Sequence, residues 1–366
     1  MIRILHYGLD SHLGGIETYL YKLATHINKE KFHFDFLTIG NEEPCYYKEF
    51  SDMGSEFYSV TPRSVNPLKN KNELINLFTS EKFDIIHCHM NSLSYSTPIT
   101  VGLKSQKNVI VHSRNAQAPK SLKTKLLHEF NSAILPKKKI EMLAVSDLAG
   151  EWMFGKGTDF TVINNGIDIN KFKFNEKSRK KIRSELGLEN QFCVIHVGAF
   201  REQKNHLFLL EVFKHIVEMK PNSTLLLVGS GKLLPEIETK IEELGIRKNV
   251  ILLGNRSDIS DLLSASDAFL FPSLYEGFPN AVLEAQTSGL PCLISDSITK
   301  EVLINFNCLS LSLDKEPSEW ANKLLSLQSY ENRKQGAESI KNEGFSVEDE
   351  VKKIENLYLS LIEKKL

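Results

Sequence analysis

A chain of 366 residues is longer than one hydrophobic core usually organises, so two domains are expected. Its composition, 41% hydrophobic and 25% charged, excludes a disordered or fibrous protein, and a formal net charge of -1 supplies no basic field to recruit nucleic acid. No apolar run reaches the roughly 18 residues that a membrane span requires.

The chain enters a strand-like pattern directly in MIRILHYGLD, without the basic and long apolar segments of a secretory signal, so the cytoplasm is the expected compartment. Short apolar runs at 2–7, 34–39, 56–60, 85–88, 109–112, 142–145 and 160–163 read as strands. Between most of them apolar residues recur at helical spacing, as in Ile16, Tyr19, Leu20, Leu23 and Ile27. This alternation predicts an α/β fold with parallel sheets covered on both faces. The polar segment 166–190, GIDINKFKFNEKSRKKIRSELGLEN, reads as a linker. The alternation then restarts, with strands at 192–197, 224–228, 250–253 and 268–271 and helices from about Asn205, from Leu233 and over 258–265. Two Rossmann-like halves predict a ligand cleft between domains. Near the C-terminus Val351, Ile354, Leu357, Tyr358 and Leu361 form one helical stripe. Cys45, Cys88, Cys193, Cys292 and Cys308 are odd in number and lack C-x-x-C spacing, so all five read as structural or incidental.

Several strand ends carry residues with chemical potential. Gly14 and Gly15, in GGIETYLYKLA, follow the first strand, where glycine makes either an ordinary turn or a place for backbone to approach a ligand. His87 and His89 share one strand face; no third metal ligand is recognisable, and packing or hydrogen bonding is the expected role. His112 ends the strand in NVIVHSRN, a position where a histidine is commonly structural. In the 120–139 region Leu122, Leu126, Leu127, Phe130, Ala133 and Ile134 make an apolar helical face among Lys120, Lys123, Lys125, Lys137, Lys138 and Lys139. Such a helix either lies on an anionic bilayer or faces a core with solvated lysines. Arg201 and Lys204, in VGAFREQKNHLFLLEVF, are either a diphosphate site at a strand's carboxyl end or a solvated charged loop. Gly229 and Gly231 in LLLVGSGKL form a turn into a helix, and Asn255 and Arg256 end the next strand.

The densest signal is SLYEGFPNAVLEAQTS at 273–288. After an apolar strand ending before Pro272 come Glu276 and Gly277 in a loop, Pro279 at the expected first helical position, and a helix stopped by Gly289 and Pro291. A helix N-terminus attracts anions, and two nearby carboxylates suit the hydroxyls of the same ligand. A nucleotide-sugar has both parts.

The pattern EGFPNAVLEAQTSGLP, with Glu276 and Glu284 eight residues apart, resembles the Glu-x7-Glu signature of retaining glycosyltransferases of the family-4-like, "group 1" type, which includes bacterial capsule and exopolysaccharide enzymes. The resemblance implies a GT-B fold: two Rossmann-like domains facing across a cleft, with an acceptor-binding domain at 1–165, a donor-binding domain at 166–345 and a final helix, 346–366, crossing back to the first. It implies transfer of a sugar from a nucleotide-sugar, UDP-linked, to a hydroxyl of a saccharide or polyprenyl-diphosphate-linked acceptor at the inner face of the cell membrane. Neither metal nor separate cofactor is implied. Carried over residue by residue, His112, Arg201, Lys204 and Glu276 form the catalytic set: His112 beside the sugar, Arg201 and Lys204 on the diphosphate, Glu276 on the sugar hydroxyls. Glu284 would hold the ribose. Gly14, Gly15, Gly229, Gly277, Phe278 and Asn280 would line the nucleotide-sugar site, and Asn255 and Arg256 would hold the base through backbone groups. Pro279 departs from the glycine common in relatives and has no amide to donate. The alternatives are a UDP-sugar 2-epimerase and a nucleotide-binding protein without catalysis.

Overall fold

The computed structural model describes residues 1–116 and 121–363; Lys120 lies outside the described residues. The chain forms two compact units, Met1–Gly166 with Val347–Leu366, and Ile167–Ser346. No helix among the described residues is long and apolar enough to cross a membrane.

The first unit is built on seven parallel strands: β1 (Ile2–Tyr7), β2 (Phe32–Ile39), β3 (Phe57–Val60), β4 (Ile85–Met90), β5 (Asn108–Ser113), β6 (Glu141–Ala144) and β7 (Thr161–Val162), in the order β3-β2-β1-β4-β5-β6-β7. Alternation divides the side chains between two covered faces. Leu5, Ile86, Cys88 and Val111 pack on one side with Leu74, Phe78 and Ile99. Ile4, Ile85 and Ile110 pack on the other with Tyr19, Leu20 and Leu23 of the helix Gly15–His26 and with Val351, Ile354 and Tyr358 of the helix Val347–Glu363. The last helix thus completes the core that the first strand begins. Its acidic end is tied down as well: Glu350 pairs with Lys22 at 2.5 Å and accepts from the Gly166 amide at 2.9 Å.

The second unit has six parallel strands: β8 (Phe192–Val197), β9 (Ser223–Val228), β10 (Val250–Gly254), β11 (Ala268–Phe271), β12 (Cys292–Ser295) and β13 (Cys308–Leu311), in the order β10-β9-β8-β11-β12-β13. In both units the strand order reverses beside the first strand, between β1 and β4 and between β8 and β11, which is where open α/β sheets bind ligands. The last two strands were not anticipated; each is only four residues long and carries a serine in its short apolar run.

The segment 166–190 is not a linker. It folds into the helices Ile169–Phe172 and Glu176–Glu185 of the second unit, the latter capped by Asn175, whose side chain accepts from Lys177 N and Ser178 N. Its polar composition misleads because the buried face is held by charge: Arg179 and Arg183 reach Asp267 at 2.5 and 3.1 Å, and Arg183 also donates to the carbonyls of Ala265, Leu188 and Gln191. Buried arginine stems cover apolar surface that a hydrophobicity pattern does not count.

If the C-terminal helix completes the first unit, Ile354→Ala, at a fully buried position, should destabilise the protein by about 2–5 kcal/mol in urea denaturation. A loss below about 0.5 kcal/mol would contradict that packing.

Candidate active site

In the second unit the expected residues converge at the carboxyl edge of β8 and β11. After β8 the chain passes Arg201, makes a one-turn 3-10 helix, Glu202–Lys204, and enters the helix His206–Met219 through Asn205 in the left-handed region at φ 55. The loop after β11 runs alongside. Leu274 N donates to Gln203 O at 2.8 Å and Gln203 Nε2 donates to Tyr275 O at 2.9 Å. Held by these bonds, Lys204 Nζ meets Glu276 Oε1 at 2.7 Å and lies 4.5 Å from the Phe271 ring centroid. The two side chains keep only 18% and 10% of their exposure, so this is a largely desolvated ion pair. Arg201, three residues earlier, is exposed and has no ion-pair partner among the described residues. Burial, with Lys204 nearby, pushes His206 down to about 4 and His196 well below its usual range, so both are neutral at pH 7 and leave the positive charge here to Lys204 and Arg201.

The helix Asn280–Thr287 starts one residue later than expected. Pro279 is its cap, with extended backbone at ψ 96, so its missing amide removes no helical bond. Asn280 and the half-buried Glu284 are four residues apart and share a helix face. Phe278 is buried with its ring stacked on Phe345 at 5.8 Å, which leaves its backbone, not its side chain, for a ligand.

Gly229 and Gly231 have a packing reason. A Cβ on Gly229 would stand 2.1 Å from Gly198 O, and one on Gly231 2.4 Å from Phe200 O, so the two loops after β8 and β9 fit only without side chains there. Gly229 N also donates to Gly254 O, which links the end of β10 to this edge. Asn255 is exposed, and Arg256 forms a two-pronged ion pair with Asp258, at 2.7 and 2.6 Å, apart from the Lys204–Glu276 pair.

The first unit differs from expectation at His112 and Gly14. His112 is fully buried, and both its ring nitrogens are engaged: Nδ1 with His87 Nε2 at 3.2 Å, Nε2 with Arg114 Nη1 at 3.3 Å. A guanidinium only donates, so His112 Nε2 must accept; its proton then sits on Nδ1 and is donated to His87 Nε2. His87 in turn donates from Nδ1 to Tyr358 Oη at 2.7 Å. His112 therefore points into the core beneath the sheet edge, and Arg114 stands outside it, 3.7 Å over the Tyr19 ring with Nη2 donating to Asn165 Oδ1 at 2.8 Å. Gly14 caps the helix Gly15–His26 in extended conformation, and a Cβ there would meet Glu17 Oε2 at 2.9 Å; the glycine makes room for that carboxylate. Among the described residues no atom lies within 4 Å of the Cβ position of Gly15.

Sequence reading missed Arg114 and His6. His6 is the third member of a trio with His87 and His89 whose ring nitrogens lie within 4.8 Å of one another. The register signalled it, since β1 and β4 pair His6 with His87 and β4 and β5 pair His89 with His112. His6 Nδ1 and His89 Nε2 already share a hydrogen bond at 3.0 Å.

Residues 178–343 match the family described as Glycosyl transferases group 1, and residues 13–171 match Glycosyltransferase Family 4. The putative glycosyltransferase EpsF of Bacillus subtilis is 32% identical over 333 residues, covering 88% of this chain and 86% of that protein. The chain belongs to the group 1 glycosyltransferases. A UDP-Gal:alpha-D-GlcNAc-diphosphoundecaprenol alpha-1,3-galactosyltransferase of Escherichia coli is 28% identical across 100% of this chain and 98% of its own. Anabaena HepE, solved in complex with UDP-glucose, superposes with a TM-score of 0.79 at 20% identity, covering 98% of this chain and 100% of that one. The fold is GT-B.

In this glycosyltransferase, burial lowers His6 to about 3 and His87, His89 and His112 well below their usual range. Their folded values lie below the unfolded value, so stability is fully present above about pH 6.5 and is lost as pH falls and the unfolded chain takes up protons that the fold cannot. Each such histidine can cost about 1.4 kcal/mol per pH unit below 6.5. The melting temperature should therefore drop steeply from pH 6.5 to 5.5; a flat profile there would contradict the neutral buried cluster.

Proposed function

We propose that this enzyme transfers a sugar from a UDP-sugar to a hydroxyl of a saccharide on a lipid-linked acceptor, with retention of anomeric configuration and without a metal ion, in the synthesis of a cell-surface polysaccharide. The observation that carries the reading is the Lys204–Glu276 pair at 2.7 Å, set at the strand-order reversal beside the N-terminus of the helix Asn280–Thr287. Arg201 and Lys204 supply the charge that a departing diphosphate needs as its negative charge grows. Glu276, fixed by Lys204, accepts hydrogen bonds from sugar hydroxyls, and Glu284 accepts from the ribose. The acceptor attacks from the leaving-group face and a phosphate oxygen takes its proton. The UDP and lipid assignments draw support from HepE, solved with UDP-glucose, and from the E. coli relative named for an undecaprenyl-diphosphate acceptor.

The basic helix supports action at the inner face of an anionic membrane. Leu122, Leu126, Phe130 and Ile134, spaced by four on the helix Leu122–Ile134, are each 57–70% exposed, so this stripe faces away from the core. Lys123, Lys125, Lys138 and Lys139 are exposed around it. Lys137 is not part of that field, because its Nζ donates to Phe154 O at 2.5 Å.

Calorimetry with UDP, combined with turnover, separates the two glutamates. Glu284→Gln should weaken UDP, which contains the ribose, by roughly ten- to a hundredfold, from a lost bond of about 1.5–3 kcal/mol. Glu276→Gln should leave UDP nearly unchanged and lower transfer by a similar factor. Equal weakening of UDP by both would refute the division of roles. Because the cationic groups are side chains, transfer should persist in EDTA; complete loss restored by magnesium or manganese would refute metal independence.

A further inference from the structure

The first unit contains a groove of about 670 Å³, within the range of ligand sites. It lies at the carboxyl ends of β1 to β4: Tyr7 and Ile39 are the last residues of β1 and β2, Pro62 and Pro67 flank the loop after β3, and Tyr95 follows β4. Leu127 closes it from the helix Leu122–Ile134. The walls are mostly apolar and aromatic, with Tyr7 and Tyr95 edge to face at 5.9 Å. Two cations stand in them, Arg63 and Lys123, and among the described residues no carboxylate lines the groove. Arg63 stacks 5.2 Å from the Tyr95 ring and donates from Nη1 to Ser94 O at 3.0 Å; among the described residues neither cation has an ion-pair partner.

Both banks of the groove carry exposed apolar side chains. Val65 and Leu68 stand on the bank whose Ser64 and Pro67 line it, and Leu122 and Leu126 on the bank that supplies Lys123 and Leu127. An apolar partner helix would cover the banks and strand two cations without an anion. A phosphorylated lipid satisfies both features, with its chain in the trough and its phosphate on Arg63 and Lys123.

We propose that this groove binds the phosphate and first isoprenoid units of a polyprenyl phosphate or diphosphate, while its apolar banks rest in the bilayer from which the lipid comes. The choice of an isoprenyl lipid over a bulk phospholipid rests on the glycosyltransferase reading; the groove's affinity for a lipid phosphate is tested without it.

The probe is farnesyl phosphate, titrated calorimetrically into the full chain, with inorganic phosphate and farnesol as separate arms. Farnesyl phosphate should bind at least about tenfold more tightly than either. Arg63→Gln with Lys123→Gln, and separately Tyr95→Ala, should weaken it by about tenfold or more while UDP binding, a property of the second unit, stays unchanged. Leu126→Glu with Phe130→Glu should abolish sedimentation with vesicles of phosphatidylcholine doped with polyprenyl phosphate. The proposal is overturned if the groove variants bind farnesyl phosphate like the wild type, if inorganic phosphate or farnesol binds as well, or if sedimentation velocity shows a dimer that Leu126→Glu dissociates. Loss of UDP binding in the wild type, with farnesyl phosphate still bound, would count against the donor assignment and not against the groove.

Discussion

The second unit of this molecule depends on a largely desolvated ion pair. Lys204 and Glu276 come from loops seventy-two residues apart, and each is brought out of water by the loop that carries it. Removing Lys204 would leave the buried Glu276 carboxylate without its cation, so neither side chain is free to drift. The parallel sheet makes the meeting possible, because β8 and β11 are neighbours and the strand order reverses between them. The glycines at 229 and 231 then let the β9 loop close against the β8 loop from behind. A cation and a carboxylate held side by side, next to a helix N-terminus, present opposite affinities to the two ends of one ligand. That is the arrangement on which the proposed nucleotide-sugar site rests.

The first unit solves a different problem. Its sheet face carries four histidines, His6, His87, His89 and His112, in a core where a charged imidazole could not survive. Neutrality is kept by directed hydrogen bonds. Arg114, which can only donate, sets the proton position on His112, and His112 sets that on His87. The end of this chain of bonds is Tyr358, in the last helix. The C-terminal helix thus closes the core and helps to fix which nitrogen of each ring bears hydrogen, so the arrangement of the sheet edge depends on residues at the far end of the sequence.

Much of this was legible in the residues. The bounds of β1, β8 and β11 coincide with the apolar runs, because strands buried on both faces read as uninterrupted hydrophobic segments. The Glu276–Glu284 spacing and the loop before it identified the helix entry. What escaped has physical reasons. The helix Glu176–Glu185 buries arginine against Asp267, which a hydrophobic pattern scores as solvent-facing. β12 and β13 are too short for their alternation to stand out. For His112, strand periodicity specified a face but not that Tyr19 would pack against it, so the ring expected at a ligand is inside the core. Likewise Gly14 marked a close approach, and the group that approaches is the molecule's own Glu17.

The central claim is that the edge between β8 and β11 holds the nucleotide diphosphate. A crystal structure of the full chain with UDP tests it most directly. The account predicts the diphosphate within hydrogen-bonding distance of Lys204 and Arg201, the ribose hydroxyls on Glu284, and Glu276 not contacted by UDP. UDP seated elsewhere in the second unit, or a diphosphate that contacts neither Lys204 nor Arg201, would contradict it.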